Sequence, residues 1–340
     1  MDQTLIESIR AAMRDAFPSA GSSALAEYYG MMEYHLGWRN AALAPDKAET
    51  GKLVRPLLAI LACRTFGGEE RHALPLAAGI QLLHDFTLIH DDIEDHSAQR
   101  RGRSTVWSIW GLEIGINVGD GMFAVAHRAL HGLVDAGVQP ATALVVLRGF
   151  EEVILRVCEG QHLDMTGEGD FGVSEARYIA MIRRKTAALI QAATGLGARL
   201  ATADESQVSA MSTFGEALGL AFQMHDDLLD IWGDPQQTGK PFAADLLQRK
   251  MSLPMVHAYT HAGPERATIE RIYRQEQVGA DDVQRLLEVL ETTGSRRYVA
   301  GLAQREHDRA QEALAQVRPI DHDAFEELQS LVTSLLKRSR

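Results

Sequence analysis

Two aspartate-rich segments set in apolar, helix-forming sequence constrain this chain more than any other feature. The first reads Asp91-Asp92-Ile93-Glu94-Asp95, followed by His96-Ser97-Ala98-Gln99 and then Arg100-Arg101-Gly102-Arg103. The second reads Asp226-Asp227-Leu228-Leu229-Asp230, with Phe222-Gln223 before it and Gly239-Lys240 shortly after. Residues four apart share a helix face, so Asp91 with Asp95 and Asp226 with Asp230 each form a paired wall of oxygens. Such a wall repels itself unless cations sit on it, and hard divalent ions such as Mg²⁺ take oxygen ligands. Magnesium dehydrates reluctantly and is usually shared between a few carboxylates and substrate phosphates. Two walls facing across a cavity would hold a diphosphate between them through metal ions. A single Asp-Asp-x-x-Asp is more simply read as a solvated helix face. Two copies on alanine- and leucine-rich helices are harder to dismiss, because uncompensated burial of carboxylates costs several kcal/mol each.

The periodicity around these segments is helical almost throughout. Residues 53–62, 74–93, 141–165, 176–200, 208–231 and 283–290 carry apolar residues with charges at three- and four-residue spacing. Alternating β-branched and polar runs are missing, as are Asn-Gly hairpin turns. Breaks fall at Ala44-Pro45-Asp46, Gly67-Gly68, 137–140, 167–172, 233–241, Gly263-Pro264 and 319–321, and none is long or low in complexity. The pattern predicts an all-α single domain over residues 1–340, with about ten helices around one core.

Composition narrows the function classes. A net charge of −12 argues against nonspecific nucleic-acid binding and against adhesion to anionic lipid. With only Cys63 and Cys158, no disulfide framework is available, and a reducing compartment is expected. Residues 1–17 mix Asp2, Glu7, Arg10, Arg14 and Asp15 with apolar residues and lack the continuous apolar core of a signal peptide. No run of eighteen apolar residues exists to span a membrane. A cytoplasmic protein without stable membrane insertion is the expectation.

Upstream of the first cluster, Ile80, His84, Thr87, Leu88, Asp91 and Asp95 fall at steps of three and four. This stripe begins apolar, turns polar at His84 and ends in carboxylates, as suits a pocket with a charged mouth and an oily floor. The second helix repeats the pattern: Phe222 is apolar, while Gln223, Asp226 or Asp227, and Asp230 share a face. One charged head and one hydrocarbon tail describe a prenyl diphosphate. His90, His96 and His225 flank the clusters and suggest zinc, but carboxylate-dominated sites favour Mg²⁺ and no cysteine joins them. They are read as supporting or surface residues, and Trp107 and Trp110 as core or interface.

Several motifs, in order and spacing, resemble those of the trans-prenyl diphosphate synthases of the short-chain, head-to-tail type. They are Gly51-Lys52-x-x-Arg55-Pro56, His84, the first cluster with Arg100-Arg101-Gly102, and Gly119-Asp120. Gln161-x-x-Asp164, Lys185-Thr186, Phe222-Gln223 with the second cluster, Gly239-Lys240, and Lys250 ahead of Leu253-Pro254 complete the set, which covers roughly residues 51–254. The resemblance implies an all-α helical bundle of the isoprenoid synthase type around a central cavity. It also implies a homodimer that joins isopentenyl diphosphate to an allylic diphosphate with Mg²⁺.

The same resemblance assigns roles. Asp91, Asp95 and Asp226 would ligate three Mg²⁺ ions, with Asp92, Asp227 and Asp230 ligating directly or through water. Arg100, Lys185, Lys240 and Lys250 would hold the allylic diphosphate. Thr186, Gln223 and the Lys185 carbonyl would cushion the allylic cation. Lys52, Arg55, His84 and Arg101 would bind isopentenyl diphosphate without metal. Phe86, with Thr87 about 5 Å below Asp91, would limit tail growth, and Leu83, Ile80, Met122 and Phe123 form the next layer. The short spacing inside the first cluster resembles geranylgeranyl synthases more than bacterial farnesyl synthases. A geranylgeranyl product is expected, with farnesyl or a longer chain as alternatives.

Some positions depart from the family pattern: Ser104 where proline is common, Ala244 in place of an acid before Asp245, and Gln248-Arg249. None is an expected metal ligand; they bear on closure of the 233–250 loop. Lys337, Arg338 and Arg340 form a basic tail, read as an ordinary terminus. A class I terpene cyclase would carry an Asn/Ser/Glu metal triad instead of the second cluster and would need no isopentenyl diphosphate site. A noncatalytic synthase subunit would be expected to lose the carboxylates or basic residues retained here.

Overall fold

The computed structural model describes residues 3–48, 51–235 and 241–337. Helices dominate, as the periodicity predicts. They are α1 (Gln3–Asp15), α2 (Ser23–His35), α3 (Val54–Thr65), α4 (Glu70–Glu94), α5 (Val106–Trp110), α6 (Leu112–Asp135), α7 (Pro140–Met165) and α8 (Glu175–Ile182). After a π-helical turn at Arg183–Ala187 come α9 (Ala188–Arg199), α10 (Glu205–Trp232), α11 (Ala244–Leu247), α12 (Leu253–His261), α13 (Arg266–Tyr273), α14 (Ala280–Thr292), α15 (Ser295–Leu314) and α16 (His322–Lys337). Helices as short as α11 to α13 hold too few turns to show an apolar stripe, so the second half is divided more finely than its pattern suggests.

Extended pairing among the described residues comprises a small antiparallel ribbon, β1 (Gln99–Arg100) and β2 (Arg103–Ser104), and an isolated bridge between Arg39 and Pro45. Pairing Arg100 with Arg103 leaves Arg101-Gly102 as a two-residue turn, with φ of +51° and +73°. Two successive positive φ values are the mark of a type I′ hairpin turn, and glycine makes the second of them easy.

Contacts divide the chain into two compact units, although no boundary is legible in the composition. One comprises residues 1–150, 196–203 and 319–325; the other comprises 151–195, 204–318 and 326–340. In the first unit α4 is the central element, packed on α6 and α3 with α1 and α5 against it. It is buried on almost every side, from Ala73, Leu76 and Ile80 through Leu82, Leu83 and Ile89, as an all-round apolar helix must be. In the second unit α10 runs along α15 and also meets the π-helical turn, α11 and α12. Leu220, Met224, Leu253, Val256, Val299 and Ala303 form part of this core. Side-chain oxygens of Ser174 and Asp204 cap the starts of α8 and α10, fixing where these helices begin. No helix among the described residues is long and apolar enough to cross a membrane.

Candidate active site

The first acidic cluster closes α4, in the first unit. The helix stops at Glu94, and Asp95 is its C-cap, but the Asp95 N–H still donates to the Asp91 carbonyl at 2.8 Å, so the four-residue relation holds. The second cluster lies in the last turns of α10, in the second unit. A helix C-terminus carries negative partial charge, so carboxylates placed there are disfavoured by the backbone as well as by each other. Such positions gain from a cation.

In each cluster the middle aspartate is turned inward. Asp92 is 2% exposed and accepts a hydrogen bond from Arg100 Nε at 2.8 Å. Burial pushes its carboxyl upward from the usual range, while Arg100 pulls it back. Asp227, 3% exposed, accepts from Tyr178 Oη at 2.6 Å, Gln223 Nε2 at 3.0 Å and the Leu253 N–H at 3.3 Å. Burial pushes this carboxyl up to about 7, helped by Asp245 and opposed by the donors from Tyr178, Gln223 and Leu253. Asp91, Asp226 and Asp230 are half-buried, and Asp95 is exposed.

Among the described residues no three His, Cys, Asp or Glu side chains converge as a ready-made metal cage. The donors on offer are carboxylate oxygens in ones and twos. That set fits Mg²⁺, which completes its shell with water and substrate phosphate, better than it fits zinc. His90 is engaged elsewhere: its Nε2 lies 3.2 Å from the Ile116 carbonyl on α6.

The first unit also gathers most of the residues expected to bind isopentenyl diphosphate. Arg101, at the tip of the hairpin, lies against Gly51: a Cβ built on that glycine would sit 3.3 Å from its guanidinium. Arg55 has a buried Nε without a hydrogen-bond partner, and burial draws its pKa down to about 10 against the pull of Asp85. His84 is held well below the ordinary histidine range by burial first, and then by Arg55, Arg101, Arg100 and His35. This is a nest of cations around a neutral imidazole. Asp85 offsets it from behind, 3% exposed, accepting from Gln81 Nε2 at 2.9 Å, with His35 Nε2 3.6 Å from its other oxygen. Lys52 is exposed beside this group in sequence.

Phe86 joins a ladder of rings in the same unit. Its centroid lies 4.8 Å from His90 and 5.1 Å from Phe123, which continues to His127 at 4.6 Å. Thr87 donates its hydroxyl to the His84 carbonyl at 2.7 Å. Trp107 donates to the Ser97 carbonyl and Trp110 packs edge-on to Tyr34, in keeping with a packing role.

In the second unit Lys185 and Thr186 occupy the π-helical turn, an irregularity often found at functional sites. Helix α7 touches this turn so closely that a Cβ on Gly160 would come within 2.3 Å of the Lys185 nitrogen. Lys185 Nζ donates to Asp164 Oδ2 at 2.7 Å, and Thr186 Oγ1 donates to Gln223 Oε1 at 2.9 Å. Lys250 is exposed, and its carbonyl accepts from Tyr273 Oη at 3.0 Å. Lys240 lies outside the described residues. Sequence reasoning quoted Asp164 without giving it a partner, and it missed Tyr178, Asp85 and His35. Only Asp164 carried a signal, through its place in Gln161-x-x-Asp164.

Comparison with known proteins bears on the same residues. The polyprenyl synthetase family model matches residues 41–290. The geranylgeranyl diphosphate synthase of Mycobacterium tuberculosis is 40% identical over 265 residues, 78% of this chain and 75% of that one. The (2E,6E)-farnesyl diphosphate synthase of Mycobacterium bovis is 34% identical over 312 residues, 91% of this chain and 85% of that one. Among solved structures, a polyprenyl synthase from Caulobacter crescentus CB15, complexed with calcium and isoprenyl diphosphate, superposes with a TM-score of 0.80. It is 31% identical, over 99% of this chain and 95% of that one. The chain therefore belongs to the polyprenyl synthetase family, trans-prenyltransferases with the all-α isoprenoid synthase fold.

Proposed function

We propose that the protein condenses isopentenyl diphosphate with an allylic diphosphate, releases pyrophosphate, and makes geranylgeranyl diphosphate as its product. The observation that carries this reading is the nest of Arg55, His84 and Arg101, backed by Asp85. It offers a metal-free anion site of the kind a second diphosphate substrate needs and a cyclase does not. The geranylgeranyl product is supported by the relative that is 40% identical, and farnesyl by the one that is 34% identical. The short first cluster and the Phe86–Phe123 ring pair favour the former.

Asp91, Asp95, Asp226 and Asp230 are the residues suited to hold Mg²⁺, three ions per site, with Asp92 and Asp227 supporting them from within. When bound, the ions draw negative charge off the departing diphosphate. The calcium in the Caulobacter crescentus enzyme supports a divalent-metal reading. Arg100, Lys185, Lys240 and Lys250 bind the allylic diphosphate by charge-assisted hydrogen bonds. Thr186, Gln223 and the Lys185 carbonyl turn oxygen lone pairs toward the developing allylic cation, and no strong nucleophile stands among them to trap it. Arg55 and Arg101 offer planar forks to the isopentenyl diphosphate, with Lys52 as a point charge and neutral His84 as a donor. Departing pyrophosphate takes the final proton.

Residues 1–340 are read as one synthase domain, since the family model runs through both units. A cytoplasmic homodimer completes the proposal. The test is to incubate purified protein with Mg²⁺, isopentenyl diphosphate and farnesyl diphosphate, follow pyrophosphate release, and weigh the product. Geranylgeranyl diphosphate is expected. No turnover with dimethylallyl, geranyl or farnesyl diphosphate would point instead to a noncatalytic subunit.

A further inference from the structure

A chain of hydrogen bonds in the second unit runs from Thr186 to Gln223, Asp227 and Tyr178, and chemistry fixes its direction. Both Asp227 oxygens accept: Oδ2 takes Tyr178 Oη and the Leu253 N–H, and Oδ1 takes the nitrogen end of the Gln223 amide at 3.0 Å. The oxygen end of the same amide then faces Thr186 at 2.9 Å, and it too can only accept. The Thr186 hydroxyl must therefore spend its single hydrogen on Gln223, and what it presents elsewhere is lone pairs. The arrangement depends on keeping the Asp227 carboxylate in place. Tyr178, 7% exposed on α8, does this with its hydroxyl at 2.6 Å from Oδ2, and the Leu253 N–H adds a weaker bond at 3.3 Å.

We propose that Tyr178 is a positioning residue for the condensation: through Asp227 and Gln223 it fixes which way the Thr186 hydroxyl points. The proposal rests on the reading that Thr186 borders the allylic cation. With Tyr178 present, Thr186 offers that cation a negative dipole. Without the phenol, Asp227 loses its shortest bond, the Gln223 amide can turn over, and Thr186 can aim its O–H at the cation instead. A reversed dipole opposes the charge that forms in the transition state and leaves ground-state binding almost untouched.

Tyr178→Phe removes the hydroxyl and keeps the ring. The expected result is a fall in kcat on the order of tenfold, with both KM values changed by less than about twofold. A double-mutant cycle with Thr186→Val separates this role from general loosening. Thr186→Val should itself lower kcat, and in that background Tyr178→Phe should have no further effect, because no hydroxyl remains to be turned. If Tyr178→Phe lowers kcat equally in both backgrounds, or raises KM instead, the positioning role is wrong. If Thr186→Val leaves kcat unchanged, it is the placement of Thr186 beside the cation that fails. Should Tyr178→Phe not fold, Tyr178→Met carries the same test, since it too removes the hydroxyl and keeps an apolar side chain in its place. A kcat loss that vanishes in the Thr186→Val background supports the proposal, and an equal loss in both backgrounds overturns it.

Discussion

Replacing Gly119 by alanine tests how the first acidic cluster is held. A Cβ at this position of α6 would lie 2.1 Å from His90 Nε2 and 2.3 Å from its Cδ2. Ordinary van der Waals contact begins near 3.4 Å, so the imidazole must retreat by roughly 1 Å. It has little room to do so. The edge of the ring meets Phe86 at 4.8 Å between centroids, and Nε2 lies 3.2 Å from the Ile116 carbonyl. Overpacking costs about 1–3 kcal/mol, and the lost hydrogen bond adds about 1 kcal/mol. Because the His90 side chain is 25% exposed and has a partial way out, the low end applies, about 2 kcal/mol in all. His90 is also bonded directly to Asp91, so the displacement should raise the Mg²⁺ concentration needed for half-maximal activity. The decisive measurement is a cycle with His90→Ala, which vacates the space. Gly119→Ala should destabilise the wild-type background by about 2 kcal/mol in urea unfolding and the His90→Ala background by little, a coupling close to the full cost. Equal losses in both backgrounds would show that the imidazole is not what requires glycine here.

Two further outcomes follow from the same unit. Phe86→Ala removes the ring between His90 and Phe123 and should lengthen the product by at least one isoprene unit, read by mass spectrometry; an unchanged product would mean that Phe86 is not the floor. His84 is neutral in the fold, with a pKa depressed by burial and by Arg55, Arg101, Arg100 and His35, whereas the unfolded chain takes up its proton near pH 6.5. Its contribution to stability is therefore complete above about pH 6.5 and drains away as the pH falls below that value. The melting temperature of wild type should drop more between pH 7 and 5 than that of His84→Gln, and parallel curves would refute this.

How far the site could be read in advance depended on distance along the chain. The stripe from Ile80 to Asp91 was legible because three- and four-residue spacing is local, and α4 keeps it to the last turn. The hairpin bearing Arg100 and Arg101 was not, since two-residue strands are too short to alternate; the trace it left was glycine at a turn position. The π-helical turn under Lys185 and Thr186 was invisible for a related reason, because one extra residue in a turn does not break an apolar period. Asp85 and His35, or Tyr178 and Asp227, are pairs joined only by the fold, at 3.6 and 2.6 Å. No periodicity links residues so far apart in sequence.

The two acidic clusters also share a division of labour that Asp-Asp-x-x-Asp does not spell out. Asp92 follows Leu88 and Ile89 onto the buried side of α4, and Asp227 follows Met224 onto the buried side of α10. Each is tied there by donors from outside its own helix: Arg100 for one, Tyr178 and the Leu253 N–H for the other. A carboxylate anchored this way stops the end of its helix from turning about its axis. Its neighbours at the first and last positions of the motif are then fixed in direction without being spent on the anchor. Both helix ends carry backbone negative charge of their own. Rotation or fraying would otherwise be the easy escape from this repulsion, and the inward aspartate closes that route. A pair of oxygens held at a helix terminus suits a small divalent ion that brings water and phosphate as its other ligands.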